Sequence, residues 1–309
     1  MRFACFGSSC FVDAERHAAA RARTQLLEWH DRFSRFREDS ELSRLNADPR
    51  AVVPVSETMA RLIDAVIEAG ELTGGLVDGT LAGEIEAAGY RGDLGAPVPL
   101  PLALRLAPAR RPAGAGNGWS ELRLQDGLLH RPPGLKLDSG GLAKGLFADL
   151  IAEQLAGPFA IDCGGDLRIG GAPREIRVAD PFGGPPLHTF TLVDAGVATS
   201  GIGKRSWLGA GGRPAHHLLD AATGRPAFTG IVQATAIAPT ALEAEVRAKA
   251  AVLSGPERAA GWLAHGGALV FDDGHVSVTD GFAGKPALSA NASKSRSAAA
   301  AAASAGPLP

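Results

Sequence analysis

The chain has 309 residues, of which 45% are hydrophobic, and its formal net charge at pH 7 is −2. This hydrophobic fraction is large enough to bury a substantial core, which excludes a disordered chain. The small net charge gives no broad basic surface, so we expect neither nucleic acid nor an anionic membrane as a partner.

The first twenty residues do not have the pattern of a secretory leader. Asp13, Glu15 and Arg16 interrupt them too early for an apolar signal-peptide core, and no lipobox is seen. No run of 18 apolar residues exists, so we expect no transmembrane segment and a cytoplasmic location. Three cysteines leave at least one unpaired, and none has a CxxC spacing.

Apolar spacing and turn residues predict helices and strands in mixed order. Helices are predicted at residues 14–36, 40–46, 56–73, 80–89, 138–155, 240–253 and 257–264. Strands are predicted at residues 3–13, 76–78, 120–125, 128–131, 159–163, 174–179, 188–193, 231–238, 268–272 and 275–279. In a single strand over 3–13, Cys5 and Cys10 would face opposite sides, and residues 91–118 are expected to be a surface excursion. The order predicts an α+β fold of mixed or antiparallel sheets with packed helices.

The segment Leu137–Leu155 combines features of an anion-binding helix start. Asp138 and Ser139 are residue types that cap a helix, and two glycines follow them. Lys144 then falls in the first turns of the predicted helix, where unpaired N–H groups favour an anion. The alternative interpretation is an ordinary capped core helix.

Five further segments follow a recognisable order around this one. They are Phe33–Asn46 (FSRFREDSELSRLN), Ile161–Gly171 (IDCGGDLRIGG), Val197–Gly203 (VATSGIG), His217–Pro226 (HLLDAATGRP) and Ala238–Gly255 (APTALEAEVRAKAAVLSG). Together the six segments resemble the FAD:protein FMN transferase (ApbE) family over about residues 3–280. The resemblance implies a single FAD-binding catalytic domain over 1–280, and the Ala/Ser-rich residues 281–309 are expected to be a disordered tail.

The activity implied by this resemblance is transfer of FMN from FAD, the substrate, to a Ser or Thr of a flavin-acceptor protein, with release of AMP. Alternatives that keep the same site are an FAD pyrophosphatase that yields FMN and AMP, and an FAD-binding protein without turnover. A purely structural α+β module is the remaining alternative.

The resemblance also implies roles for individual residues around the nucleotide. Asp138 is expected to contact the flavin nucleotide, the carbonyl of Gly141 to bind a metal ion, and Lys144 to act as a catalytic residue beside the pyrophosphate. A snorkelling surface lysine is the alternative for Lys144. Further expected flavin contacts are Phe6, Phe36, Leu76, Val77 and Asp78; for the aromatic residues Phe6 and Phe36, plain core is the alternative.

A histidine and a hydroxyl segment are expected to complete the catalytic site. A histidine titrates near neutrality and can take a proton from an incoming hydroxyl, and the motif match selects His217 rather than His216. A structural histidine bonded to a turn is the alternative. Ser200, with Thr199, matches a turn whose hydroxyls orient a phosphate or the histidine.

The pair Asp162 and Asp166 places a carboxylate on each side of a glycine turn. One interpretation is a tight hairpin in which Asp166 bonds turn N–H groups. The resemblance implies instead a supporting role beside the flavin site.

The largest departure from the family pattern lies at Glu245 and Lys249, where the family has Asp and Thr as Mg²⁺ ligands. A lysine ammonium has no lone pair for Mg²⁺, although Glu245 remains a possible ligand, so the metal is in doubt. In one interpretation the two residues form a helix ion pair worth about 0.2–0.5 kcal/mol. In the other, Lys249 binds near the nucleotide and supplies part of the positive charge that a metal would provide.

Overall fold

The computed structural model describes residues 1–92 and 94–281. Its helices are α1 Arg16–Arg32, α2 Glu41–Ala47, α3 Glu57–Thr73, α4 Ala82–Ala87, α5 Leu100–Leu106, α6 Ala143–Ala152, α7 Ala241–Ser254 and α8 Pro256–Ala259. Its strands are β1 Arg2–Cys5, β2 Ser8–Asp13, β3 Val52–Pro54, β4 Arg123–Gln125, β5 Leu128–His130, β6 Phe159–Cys163, β7 Asp166–Gly170, β8 Arg174–Val178, β9 His188–Leu192, β10 Ala195–Gly201, β11 Ser206–Leu208, β12 Pro214–His216, β13 Leu219–Asp220, β14 Arg225–Pro226, β15 Ile231–Ala238, β16 Gly267–Phe271 and β17 Val276–Thr279. Short 3₁₀ turns lie at Gly118–Glu121, Ser139–Gly141, Ala210–Gly212 and Ala260–Trp262.

One antiparallel sheet of eight strands organises the fold, in the order β1-β2-β6-β7-β10-β15-β16-β17. Helix α7 packs on β10 and β15, and α6 packs on α7, β6 and β7. A separate apolar cluster includes residues from the β8–β9 hairpin and from β7, β10 and β15. These helices and antiparallel strands confirm the predicted α+β class.

Side-chain caps begin several helices where the sequence predicted them. Ser40 Oγ accepts from Ser43 N–H at 2.9 Å, and Ser56 Oγ accepts from Met59 N–H at 3.2 Å. Each bond satisfies an N–H group that has no partner inside its helix. Gly74 ends α3 with a φ of 59°, a conformation that glycine adopts without steric cost.

The predicted strand over residues 3–13 is wrong, because the chain turns at Phe6 and Gly7. These residues have φ angles of 53° and 64°, and the segment forms the β1–β2 hairpin instead. Cys5 and Cys10 are therefore both buried, and Cys10 Sγ lies 3.7 Å from the Cys5 carbonyl oxygen. The three cysteines, including Cys163, are free.

The helix predicted to open at Asp138 begins later. A 3₁₀ turn occupies Ser139–Gly141, and α6 starts only at Ala143. The Asp138 carboxylate does accept a bond from Gly140 N–H at 3.2 Å, so it caps the turn rather than the helix. Asn46, predicted to close α2, instead bonds the backbone N–H and carbonyl of Leu137 at 2.8 Å each.

Two further segments differ from expectation. Residues 91–118, expected to be a surface excursion, contain helix α5, whose Leu100 and Ala103 are buried. Thr199 and Ser200, expected in a turn, lie within β10. The predicted tail at 281–309 lies outside the described residues except for Gly281. None of the helices in the described part of the chain combines the length and the hydrophobicity that a membrane span requires.

Candidate functional site

A cavity of about 710 Å³ lies between the start of α6, the segment before α4 and the strand ends near residues 204–219. Its volume falls within the range of small-molecule and cofactor sites. Ten of the twelve sequence-predicted site residues line it: Phe6, Phe36, Leu76, Val77, Asp78, Asp138, Gly141, Lys144, His217 and Lys249. The structure does not place the other two, Ser200 and Glu245, on its wall.

Lys144 lies on the cavity floor, held by two buried carboxylates. Its ammonium contacts Asp166 Oδ2 and lies 3.4 Å from Glu245 Oε1. Asp166 is 2% exposed, so its charge depends on this lysine. Burial lowers the pKa of Lys144, while the charge of Glu245 opposes that effect. The side chain is thus a fixed point charge rather than a surface lysine.

Glu245 lies behind this floor and has no exposed surface. Its Oε1 accepts from Lys249 Nζ at 2.8 Å, and its Oε2 accepts from Gly145 N–H at 2.9 Å. Burial would raise the pKa of Glu245, but the charges of Lys144 and Lys249 outweigh it and hold that pKa below its ordinary value. The carboxylate is therefore ionised and ties α6 to α7.

His217 presents its ring to the cavity next to β12. Its backbone N–H donates to the Arg205 carbonyl at 3.2 Å, which sets the position of the residue. Its Nδ1 is buried and has no hydrogen-bond partner among the described residues. Burial, and then the positive charge of Arg205, lowers the pKa of His217 well below its ordinary value. The imidazole is therefore neutral at pH 7, which is the protonation state that a general base requires.

The neighbouring His216 faces away from the cavity. It is 1% exposed, and its ring meets the ring of Phe228 edge-on with centroids 4.7 Å apart. Burial lowers the pKa of His216 to about 3. The structure thus places these two histidines on opposite sides, as the alternation of side chains along an extended segment predicts.

An arginine between two aromatic rings forms part of the cavity wall. The guanidinium carbon of Arg35 lies 4.3 Å from the ring centroid of Phe36 and 4.4 Å from that of Tyr90. Arg35 also donates to the Tyr90 carbonyl at 2.7 Å and lies 3.6 Å from the Asp138 carboxylate. Sequence reasoning missed Arg35 and Tyr90. The one available signal was that Tyr90 is the only tyrosine of the chain.

Lys204 and Arg205 also line the cavity and were missed. Arg205 donates to the Phe6 carbonyl at 3.3 Å, which joins the β1–β2 turn to the strand ends near His217. Two adjacent basic residues after a glycine-rich segment were a signal, since lysine occurs at only six positions. Their charges add to those of Lys144 and Lys249.

Other predicted residues have structural contacts that explain their type. Asp78 Oδ1 accepts from Thr80 N–H at 3.0 Å and from Thr80 Oγ1 at 2.6 Å, so it orders the turn before α4. Gly165 N–H donates to Asp162 Oδ1 at 2.7 Å, whereas the Asp166 carboxylate contacts Lys144, so the turn bond expected of Asp166 is made by Asp162 instead. Ser200 is buried in β10 away from the cavity wall, and this geometry does not support a direct contact with a nucleotide.

The ApbE family model matches residues 6–271 of the chain. The chain belongs to the ApbE family. The FAD:protein FMN transferase of Treponema pallidum is 29% identical over 279 residues, which is 81% of this chain and 75% of that protein. The FAD:protein FMN transferase of Klebsiella pneumoniae is 31% identical over 271 residues, covering 80% of this chain and 75% of that protein.

Solved structures agree with this assignment. The ApbE protein of Thermotoga maritima has a TM-score of 0.74 at 28% identity, covering 90% of this chain and 96% of that one. The flavinyl transferase ApbE of Pseudomonas stutzeri, in its apo form, has a TM-score of 0.71 at 21% identity, covering 90% of this chain and 93% of that one. At that lower identity the second likeness shows the fold alone.

The Mg²⁺ expected from the ApbE resemblance does not fit the residues present. Within the described residues, no group of three or more His, Cys, Asp or Glu side chains is placed to hold a metal ion. Both oxygens of Glu245 already accept hydrogen bonds, and the Lys249 ammonium is one of the donors. Mg²⁺ takes oxygen lone pairs at about 2.0–2.1 Å, and an ammonium supplies none.

Proposed function

We propose that this ApbE protein is an FAD:protein FMN transferase, and that it joins FMN to a Ser or Thr hydroxyl of an acceptor protein. The observation that supports this most directly is the cavity itself, which Lys144, Lys249 and His217 all line. Relatives of the chain are named FAD:protein FMN transferase. We place the activity within residues 1–280.

The cavity offers separate surfaces for the two parts of FAD. The diphosphate carries negative charge, and the ammonium groups of Lys144 and Lys249 and the guanidinium of Arg205 are among the cations that line the cavity. The flavin ring is a large apolar plane, which suits the wall formed by Phe6 and Leu76. In this orientation we expect the phosphorus of the FMN half to lie near His217, which lines the same cavity.

The transfer step follows from these positions. The acceptor hydroxyl oxygen attacks the phosphorus of the FMN half, and its proton passes to the neutral imidazole of His217. A new phosphorus–oxygen bond forms while the bond from that phosphorus to the bridging oxygen breaks. AMP leaves with the bridging oxygen, and the ammonium of Lys144 stabilises the charge that develops there.

Incubation with FAD and a purified candidate acceptor, with and without Mg²⁺, tests the proposal, with the same acceptor carrying Ala at its Ser or Thr as the control. A flavin-fluorescent acceptor band with an equal amount of AMP supports the transferase, provided the Ala acceptor stays unlabelled. Free FMN with AMP in the absence of acceptor labelling identifies an FAD pyrophosphatase instead. Intact FAD that remains bound identifies an FAD-binding protein without turnover.

A further inference from the structure

Lys249 stands between the cavity and a carboxylate that the family pattern assigns to a metal. Glu245 and Lys249 are one turn apart on α7, with Nζ and Oε1 2.8 Å apart. Lys249 lines the cavity, whereas Glu245 does not. A methyl group built on Gly141 would lie 3.8 Å from Lys249 Cε, so the lysine side chain runs alongside that glycine. A ligand that enters the cavity at this point therefore contacts the Lys249 ammonium before the Glu245 carboxylate.

The pair differs from an ordinary helix ion pair on the same helix. The side chains of Glu245 and Lys249 are 0% and 9% exposed. Glu243 and Arg247 form an i,i+4 pair at 2.7 Å, but their side chains are 28% and 15% exposed. Burying two charges costs desolvation free energy that a surface pair avoids, so the buried pair is poorly explained as a stabilising device. A negatively charged ligand in the cavity explains why this ion pair is buried there.

The ammonium has hydrogen-bonding capacity left for such a ligand. A lysine carries three N–H donors and no acceptor, and Glu245 Oε1 takes one of them. The remaining donors suit phosphate oxygens, which accept charge-assisted bonds from ammonium groups. Lys144 lies 3.4 Å from the same Oε1 and also contacts Asp166, so two ammonium groups are balanced by two carboxylates at this point. Of these four groups, only the two ammonium groups line the cavity.

We propose that the Lys249 ammonium takes the position and the electrostatic role of a divalent cation, so that a diphosphate binds here without Mg²⁺. The identity of that diphosphate as FAD rests on the proposed function. Glu245 then serves as a positioning residue, because its carboxylate orients the lysine instead of coordinating a metal.

The test compares the wild-type protein with Lys249→Met, Lys249→Thr and, as a matched control, Arg247→Met. The Kd for FAD is measured by equilibrium dialysis in EDTA and then across a Mg²⁺ titration, and AMP release is followed in parallel. We expect the same wild-type Kd in both conditions. Lys249→Met should weaken binding in EDTA by about tenfold or more without rescue by Mg²⁺, because it removes a charge-assisted bond and supplies no ligand. Arg247→Met should bind like wild type.

Lys249→Thr separates charge from metal coordination, because it releases Glu245 and adds a hydroxyl oxygen. We expect it to bind FAD weakly in EDTA and to recover affinity as Mg²⁺ is added. The proposal is overturned if chelation abolishes FAD binding by the wild type, or if either Lys249 variant keeps the wild-type Kd in EDTA. FAD binding without Mg²⁺ but without any acceptor labelling would remove the proposed function and leave this inference standing. Acceptor labelling in Mg²⁺ combined with loss of wild-type FAD binding in EDTA would overturn this inference and leave the proposed function standing.

Discussion

The carboxylate of Asp149, on α6, accepts a 2.9 Å hydrogen bond from the backbone N–H of Ala241 at the start of α7. Its second oxygen accepts from Leu242 N–H, also at 2.9 Å. Two otherwise unpaired N–H groups of α7 are therefore satisfied by a side chain from another helix. This contact sets the relative position of the helices that carry Lys144 and Lys249.

Asp149→Ala should destabilise the protein by about 1–2 kcal/mol, since it leaves both N–H groups without a charged acceptor. Urea unfolding measures the change. Thr240→Ala is the matched comparison, because Thr240 Oγ1 caps the same helix through one bond to Glu243 N–H at 3.1 Å. A smaller loss is expected there. Equal stability of Asp149→Ala and wild type would contradict the role given to this contact.

Lys144→Met should lower kcat/KM for AMP release by about 10²-fold or more, because it removes a preorganised positive charge from the diphosphate. It should also destabilise the fold by leaving Asp166 buried and unpaired. The double variant Lys144→Met with Asp166→Asn removes that unpaired charge. It should regain stability in urea unfolding but not activity. Recovery of activity together with stability would show that Lys144 is only structural.

His217→Ala should lower kcat by about 10²–10⁴-fold while the Kd for FAD stays near the wild-type value, because a general base acts on the reacting hydroxyl and not on nucleotide binding. Single-turnover AMP release and equilibrium dialysis separate the two quantities. His216→Phe is the neighbouring control and should keep transfer, since His216 lies in the core against Phe228. Wild-type turnover by His217→Ala would rule out His217 as the base.

The pH dependence of kcat/KM should be flat from about pH 6.5 to 8 and decline only in more acidic solution. The ordinary pKa of a histidine is about 6.5, and burial with nearby cations lowers the pKa of His217 well below that value. The base therefore stays neutral throughout the flat region. A midpoint near pH 6.5 that is absent from a His217 variant would contradict this environment.

The free energy of unfolding should decrease as the pH falls from about 6.5 toward 3, partly because of His216. Its folded-state pKa is about 3, whereas an unfolded histidine titrates near about 6.5. Between these values the unfolded state binds more protons, so stability rises with pH by about 1.4 kcal/mol per unit for this group. Between pH 7 and 5, His216→Phe should lose about 2 kcal/mol less than wild type. Identical losses in urea unfolding would contradict a buried neutral His216.

Helix caps and hairpin turns were predictable because they depend on neighbouring residues. Ser40 and Ser56 were expected at helix starts, and both cap helices in the structure. Asp126 and Gly127 were expected between two strands, and they connect β4 and β5 in a hairpin. The β1–β2 hairpin was missed, because Phe6 rather than a typical turn residue takes a φ of 53° there. The contacts of Phe6 with Phe147 and His30 offset that strain.

Most of the candidate site was predictable from the resemblance to the ApbE family. Ten predicted residues line one cavity, because each occupies a position that the family pattern assigns to the nucleotide or its metal. Arg35 and Tyr90, which pack together at 4.4 Å, are 55 residues apart, and no local pattern joins them. The burial of Ser200 also depends on which strands flank β10 in the sheet.

The sequence by itself determined the family pattern, the helix caps and the replacement of a metal-ligand type by Lys249. Only the tertiary structure decided that Lys249 faces the cavity while Glu245 is fully buried behind Lys249. Residue type and spacing specify what a side chain can bind and which helix face it shares. Burial and the direction of a charge depend on segments such as α6 and α7, which are distant in the chain and meet only when the sheet assembles.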